Sequence, residues 1–261
     1  MRRVDPSEIV APRVSIITVV FNARELLRQT INAIDDLDYP NLEHIIIDGG
    51  STDGTVDILC SNRMISVRSV SEPDHGIYDA MNKGIQLASG EYVWFLNAGD
   101  TPAAADVLNK LRSGQSPDVL YGDTNLIDEG GHLVNVAEAP QLLSSEKMAW
   151  GMRVSHQSII LRRSIVPFYD LRYSFIADQK WVIDSLKRAD VCLYTDSPLS
   201  NYLLGGLSQR EYGRFWLEKV SYSFNELSLI LACSVTIKDV FSATRFYLGS
   251  YFRKIKSSLS W

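Results

Sequence analysis

Four polar residues, Asn22, Asp48, Asp74 and Asp100, follow the apolar runs VSIITVV, HIIID, ISVRSV and YVWFL or sit in the loops adjoining them. Carboxylates and an amide gathered at strand ends suit a ribose or base hydroxyl, together with a divalent cation bridging phosphates. Small hard cations take carboxylate oxygens and fill their remaining positions with water and substrate phosphate. In open α/β sheets ligands bind in the crevice beyond the carboxyl ends of the strands, where such residues would meet. Asp48, followed by two glycines in IIIDGGSTDGT, admits a second reading in which it only orders the turn, since Asp, Gly and Ser are common turn formers. No GxxxxGK[ST] run is present, which disfavours a P-loop nucleotidase.

The elements that must position these residues alternate in type. Strand-like runs at 14–20, 44–48, 65–70 and 92–96 are separated by a helix over 23–37, a short helix after Gly54 and a helix over 76–88. This order predicts a parallel, twisted sheet with helices on both faces. In the helix over 76–88, Ile77, Met81, Ile85 and Ala88 share one face, which reads as core. Beyond Thr101 the pattern predicts a helix near 103–112, a strand at 118–123, a turn at 128–132 and a strand at 133–137, a smaller mixed or antiparallel portion. An apolar strand after Ser155, a helix over 177–189, a strand at 191–194 and a Gly-Gly loop at 205–206 follow. Residues 208–261 read as two helices.

The chain has 261 residues, 46% hydrophobic and 22% charged, an ordinary globular composition able to bury a core. A net charge of -5 argues against a protein whose task is to hold nucleic-acid phosphates. Cys60, Cys192 and Cys233 are far apart with no zinc-type spacing, and read as reduced, buried thiols of a cytosolic protein. The first residues lack the apolar core of a signal peptide, and no uncharged apolar run is long enough for a transmembrane helix.

The succession VSIITVVFNA, IIIDGGSTDGT, SEPDHGIYDAMNKGIQLASGEYVWFLNAGD, VSHQSIILRRS and IADQKWVI resembles the family 2 glycosyltransferases of bacterial polysaccharide assembly, over about residues 13–205. The resemblance implies the GT-A fold, a mostly parallel, nucleotide-sugar-binding α/β sheet flanked by helices. A nucleotide-binding half (about 13–101), a smaller acceptor-side half (about 102–205) and a C-terminal helical extension (206–261) follow from it. It further implies that Thr18, Phe21, Asn22 and Asp48 hold the base and ribose of the donor, and that Asp74 and Asp79 border its base and sugar. Asp79 and Lys83, four apart on a helix, otherwise read as a solvated ion pair. Ser51 and Asp53 read as caps of the next helix.

FLNAGD takes the place of the family's DxD motif but has Asn97 and Gly99 where acids are usual. Asp100 is left as the carboxylate for Mg²⁺ or Mn²⁺, with Asn97 as a donor-side contact behind it. The competing role for Asp100 is to cap a helix after Pro102. In FIADQKWVID the resemblance makes Asp178 the general base of an inverting transfer, against a simple N-cap role. The HQ pair places His156 at an acceptor or metal contact, against a buried histidine bonded to backbone.

The tail FSATRFYLGSYFRKIKSSLSW mixes aromatics with Arg245, Arg253, Lys254 and Lys256, as in segments drawn to anionic lipid headgroups, or as in a packing helix with a basic exposed face. The expectation is a cytoplasmic glycosyltransferase, peripheral on the inner face of the cell membrane. It would move a sugar from a nucleotide-diphosphate sugar donor to a glycan or lipid-linked oligosaccharide acceptor, with no nucleic-acid partner. The alternatives are a nucleotidyltransferase or nucleotide-sugar hydrolase, and a catalytically inactive nucleotide-sugar-binding module.

Overall fold

A computed structural model describes residues 11–59, 66–113, 116–205, 212–226 and 232–237. The β-branched run VSIITVV forms β1 (Val14–Val20), buried along its whole length, and α1 (Arg24–Asp35) turns Leu27, Ile31 and Ile34 inward. Then come β2 (Leu42–Asp48), the short α2 (Thr55–Leu59), β3 (Ser66–Ser71), α3 (Ile77–Leu87) and β4 (Tyr92–Phe95). β3, β2, β1 and β4 pair in that order, all parallel, with Val20 opposite Asp48 and Asp48 opposite Ser71. A strand covered on both faces carries apolar residues at every position, which is why Ile45, Ile46 and Ile47 are consecutive and all fully buried.

The second half adds β5 (Thr101–Pro102), β6 (Val119–Ile127), β7 (Leu133–Ala137), α4 (Ser145–Ala149), β8 (Ile159–Arg162), α5 (Ala177–Leu186) and β9 (Cys192–Leu203). β8 lies antiparallel between β4 and β6, β9 runs parallel to β6, and β5 and β7 pair antiparallel with β9 and β6. The nine strands among the described residues belong to one sheet. Trp94, Ile16, Leu120 and Ile160 form a core cluster that spans the junction of the halves. The chain divides into Met1–Arg210 and Glu211–Trp261. The second unit contains α6 (Tyr212–Glu226) and a helical stretch at 232–237. Among the described residues no helix is long and apolar enough to cross a membrane.

Several expectations are corrected. The helix near 103–112 is a 3-10 helix over Val107–Ser113, because the preceding residues are held by tertiary bonds from Ala103 N–H to Leu199 O and from Asp38 N–H to Ala105 O. The core face of α3 is Tyr78, Ala80, Met81, Asn82 and Gly84, while Ile77 is 42% exposed. Gly84 is needed there, since a Cβ would overlap the Ile17 side chain. β9 begins one residue after the expected strand and continues nine residues beyond its end. Cys192 and Cys233 are free and exposed rather than buried, and Cys60 lies outside the described residues.

Candidate active site

The loop after β4 is shaped by its own residues. Gly99 has φ 100°, and a Cβ there would stand 2.8 Å from the Leu203 side chain, so no acid fits where the DxD pattern has one. Thr30 of α1 clamps the loop, accepting from Gly99 N–H at 2.9 Å and donating to the Asp100 carbonyl at 2.8 Å. The Asp100 carboxylate is thereby held inward. It accepts from Leu203 N–H at 3.2 Å and from Gln157 Nε2 at 3.2 Å, bonds that replace the helix cap expected as its alternative, since the next helix, the 3-10 turn, starts only at Val107. Burial pushes its carboxyl up to about 6, against the pull of the Leu203 amide, His156 and Gln157.

His156 and Gln157 open a short 3-10 turn before β8. Trp94 Nε1 donates to Gln157 O at 2.7 Å, and Ser158 bonds Thr124 and Ser200, pinning the turn to β4, β6 and β9. α5 is fixed by Trp181 Nε1 donating to Pro167 O at 2.9 Å and Gln179 Nε2 donating to Met148 O at 2.7 Å. These anchors bring His156 Nδ1 to 3.6 Å from Asp178 Oδ2. Asp178 lies in the first turn of α5 and accepts from the adjoining Gln179 N–H at 2.8 Å; the helix N-cap is Ile176, not Asp178.

One cleft of about 510 Å³ joins these parts, lined by Asn97, Asp100, His156 and Asp178. Tyr78, Gln157, Tyr202 and Leu203 also line it, as does Glu129 from the β6–β7 turn. Among the described residues it is lined by three carboxylates and by neither lysine nor arginine. Asn97 Oδ1 and His156 Nε2 are buried yet have no hydrogen-bond partner among the described residues. Unpaired buried polar atoms are uncommon and mark groups that await a partner. Among the described residues no cluster of three or more His, Cys, Asp or Glu has metal-binding proximity. The set present is one carboxylate and one free amide oxygen, which suits a cation completed by substrate phosphate and water.

The remaining expected contacts divide into two groups. Thr18 and Asp48 carry no exposed surface. Thr18 Oγ1 pairs with His44 Nε2 at 2.8 Å, and Asp48 accepts from Gly50 N–H, Ser51 N–H, Ser51 Oγ and Ser71 Oγ. Both side chains are bonded within the framework, and Asp48 orders its turn. Asn22, with φ 47°, ties β1 to that turn by donating its N–H to Ser51 Oγ and accepting from Thr52 N–H.

Phe21, 62% exposed, and Asp74 do stand at an open surface, where they flank Gly49. Asp79 accepts from His75 N–H at 3.0 Å, and Lys83 is paired with Glu72 at 2.9 Å and lies 3.8 Å from Asp79. Asp53 accepts from the N–H and hydroxyl of Thr55 at the start of α2, whereas Ser51, expected as a second cap, bonds Asn22 and Asp48 instead. Arg162 is engaged by Glu91 and Asp118 and is not among the residues lining the cleft.

Comparison with known proteins identifies the family and the fold. Residues 15–115 match the profile described as Glycosyl transferase family 2. An uncharacterized glycosyltransferase of Mycobacterium tuberculosis H37Rv is 35% identical over 193 residues, which cover 70% of this chain and 71% of the relative. The chain belongs to glycosyl transferase family 2. A PGL/p-HBAD biosynthesis glycosyltransferase of Mycobacterium bovis BCG is 29% identical over 230 residues, 82% of this chain and 86% of that protein.

Two solved structures share the fold. TarS 1-349 of S. aureus has a TM-score of 0.64 at 17% identity, over 90% of this chain and 73% of that one. The mannosyltransferase PcManGT of Pyrobaculum calidifontis, in complex with GDP-Man and Mn²⁺, has a TM-score of 0.63 at 16% identity, over 95% of this chain and 81% of that one. The protein is thus a glycosyltransferase with the GT-A type of α/β sheet that its motifs implied.

Proposed function

We propose that the cleft transfers a sugar, with inversion, from a nucleotide-diphosphate donor to a hydroxyl of a glycan or lipid-linked glycan in bacterial surface polysaccharide synthesis. The observation that carries this is the meeting of Asn97, Asp100, His156 and Asp178 in one cleft that, among the described residues, is lined by no lysine or arginine. A diphosphate placed among carboxylates needs positive charge from elsewhere. Asp100, with Asn97 Oδ1 beside it, would hold Mg²⁺ or Mn²⁺, which would neutralise the diphosphate as it leaves. The Mn²⁺ complex of PcManGT supports this reading.

The donor's base would lie against Phe21 and Asp74, with Asn22, Asp79 and the turn ordered by Asp48 shaping that end; Thr18 supports the strand beneath. Asp178 takes the proton of the acceptor hydroxyl while the oxygen of that hydroxyl bonds the anomeric carbon and the bond to the diphosphate breaks, releasing nucleoside diphosphate. His156 orients the Asp178 carboxylate. The names of the mycobacterial PGL/p-HBAD relative and of a putative teichuronic acid glycosyltransferase of Bacillus subtilis, 40% identical over 92 residues, support a cell-surface acceptor. The basic, aromatic tail at 245–261, outside the described residues, would keep the enzyme at the cytoplasmic face of the membrane. A panel of UDP-, GDP-, dTDP- and CDP-sugars, assayed with membrane glycolipid acceptors in Mn²⁺ and in EDTA, tests the reading. Metal-dependent transfer from one donor is expected. Binding of a sugar nucleotide with no transfer to any acceptor would favour the inactive binding module, and equal transfer in EDTA would remove the cation.

A further inference from the structure

The loop before α5 inserts Tyr169 between two helices, buried beside the cleft but not among the residues lining it. Its ring stacks on Tyr78 of α3, with centroids 5.2 Å apart, and on Trp181 of α5, at 5.0 Å and 4° between planes. It also meets the edge of Phe95 of β4 at 5.5 Å. The backbone is held as firmly, with Asn82 Nδ2 donating to Tyr169 O at 2.9 Å and Tyr169 N–H donating to Asn82 Oδ1 at 2.7 Å.

Yet the hydroxyl at the end of this clamped ring has no hydrogen-bond partner among the described residues. A buried unpaired hydroxyl costs about 1–3 kcal/mol, and phenylalanine would make the same stacks without that cost. The oxygen therefore needs a role outside packing. Trp181 lies three residues after Asp178, so the face of α5 that carries the stack is the face that carries Asp178. Burial and the Asp178 charge push the Tyr169 phenol well above its ordinary value, so it keeps a proton to donate.

We propose that Tyr169 is a positioning residue for Asp178, its hydroxyl donating to the Asp178 carboxylate when an acceptor hydroxyl enters the cleft. This rests on the reading of Asp178 as general base. One carboxylate oxygen is then fixed from the protein side and the other is left to face the acceptor. Because Tyr78 both lines the cleft and stacks on Tyr169, the same clamp ties the base to the wall of the cleft formed by α3.

Tyr169→Phe keeps the stack and removes only the oxygen. The probe is the sugar nucleotide of the panel above that supports transfer, followed by release of nucleoside diphosphate. The expected result is a kcat lower by roughly 10- to 100-fold, the rate equivalent of one hydrogen bond to a charged group, with KM for donor and acceptor unchanged and the melting temperature not lowered. In an Asp178→Asn background the same substitution should have no further effect, because no carboxylate remains to be positioned. Unchanged kcat in Tyr169→Phe, with Asp178→Asn inactive, overturns the role of Tyr169 alone. Equal loss in both backgrounds, or loss of stability and donor binding, marks a packing residue and overturns it too. Full activity of Asp178→Asn overturns the base itself, and this role with it.

Discussion

Replacing Asp100 by asparagine should stabilise the metal-free protein at neutral pH. Asp100 is 4% exposed, and burial raises its carboxyl from 3.8 to about 6 despite its hydrogen bonds. The folded value lies above the unfolded one, so between them the folded protein binds more protons. Stability from this group therefore falls as pH rises, with the penalty absent below about pH 4 and complete above about pH 6. A shift of about two units corresponds to about 3 kcal/mol.

Asparagine has one side-chain oxygen to serve the two donors, Leu203 N–H and Gln157 Nε2, which offsets about 1 kcal/mol of that gain. In EDTA the variant should then be more stable by about 1–3 kcal/mol near pH 8, and less stable by about 1 kcal/mol near pH 4, in urea denaturation. Mn²⁺ with nucleoside diphosphate should raise the melting temperature of the natural protein and not that of the variant. A stability difference between the two proteins that stays flat from about pH 4 to pH 8 would refute the reasoning.

Asp48→Ala strips the acceptor from two backbone and two hydroxyl donors and should destabilise by about 3–5 kcal/mol in thermal or urea unfolding; normal stability with lost nucleotide binding would instead make Asp48 a donor contact. Gly49→Ala places a Cβ 2.5 Å from Asp74 Oδ2 and 3.4 Å from the Phe21 ring. It should weaken nucleoside diphosphate binding roughly tenfold in calorimetry, with stability changed by less than about 1 kcal/mol, and unchanged affinity would move the base site away from Phe21 and Asp74. Deleting residues 245–261 should lower sedimentation with anionic vesicles in a salt-sensitive way and leave nucleotide binding intact. Equal sedimentation of both forms would favour a packing helix.

In the parallel half β1, β2 and β4 were legible because burial on both faces makes them largely apolar runs, whereas β3 is a partly exposed strand at the end of the sheet order; β1 matches its expected bounds residue for residue. Asp100, His156 and Asp178 were also reachable, each through a motif of the family. What holds them was not. β9 passes through Thr195–Pro198, where Asp196 has φ 56° and the pairing with β6 shifts register. The strand signal breaks there, and Leu203, whose N–H fixes Asp100, lay outside the expected strand. Tyr169 stands in an irregular loop with no periodicity, so only the fold reveals its stack. The burial of Thr18 and Asp48 was likewise hidden, since a polar residue at a strand end is compatible with either the crevice or the turn beneath it.

The most direct test of the account is Asp178→Asn, assayed for turnover and for donor affinity in the same preparation. Asparagine keeps the shape and the bond from Gln179 N–H but cannot take a proton. If Asp178 deprotonates the acceptor, turnover should fall by about 10²–10⁴-fold while nucleotide-sugar affinity stays within about twofold of the natural protein. Near-normal turnover with unchanged affinity would contradict the assignment and move the base to His156, the other titratable group in contact with Asp178.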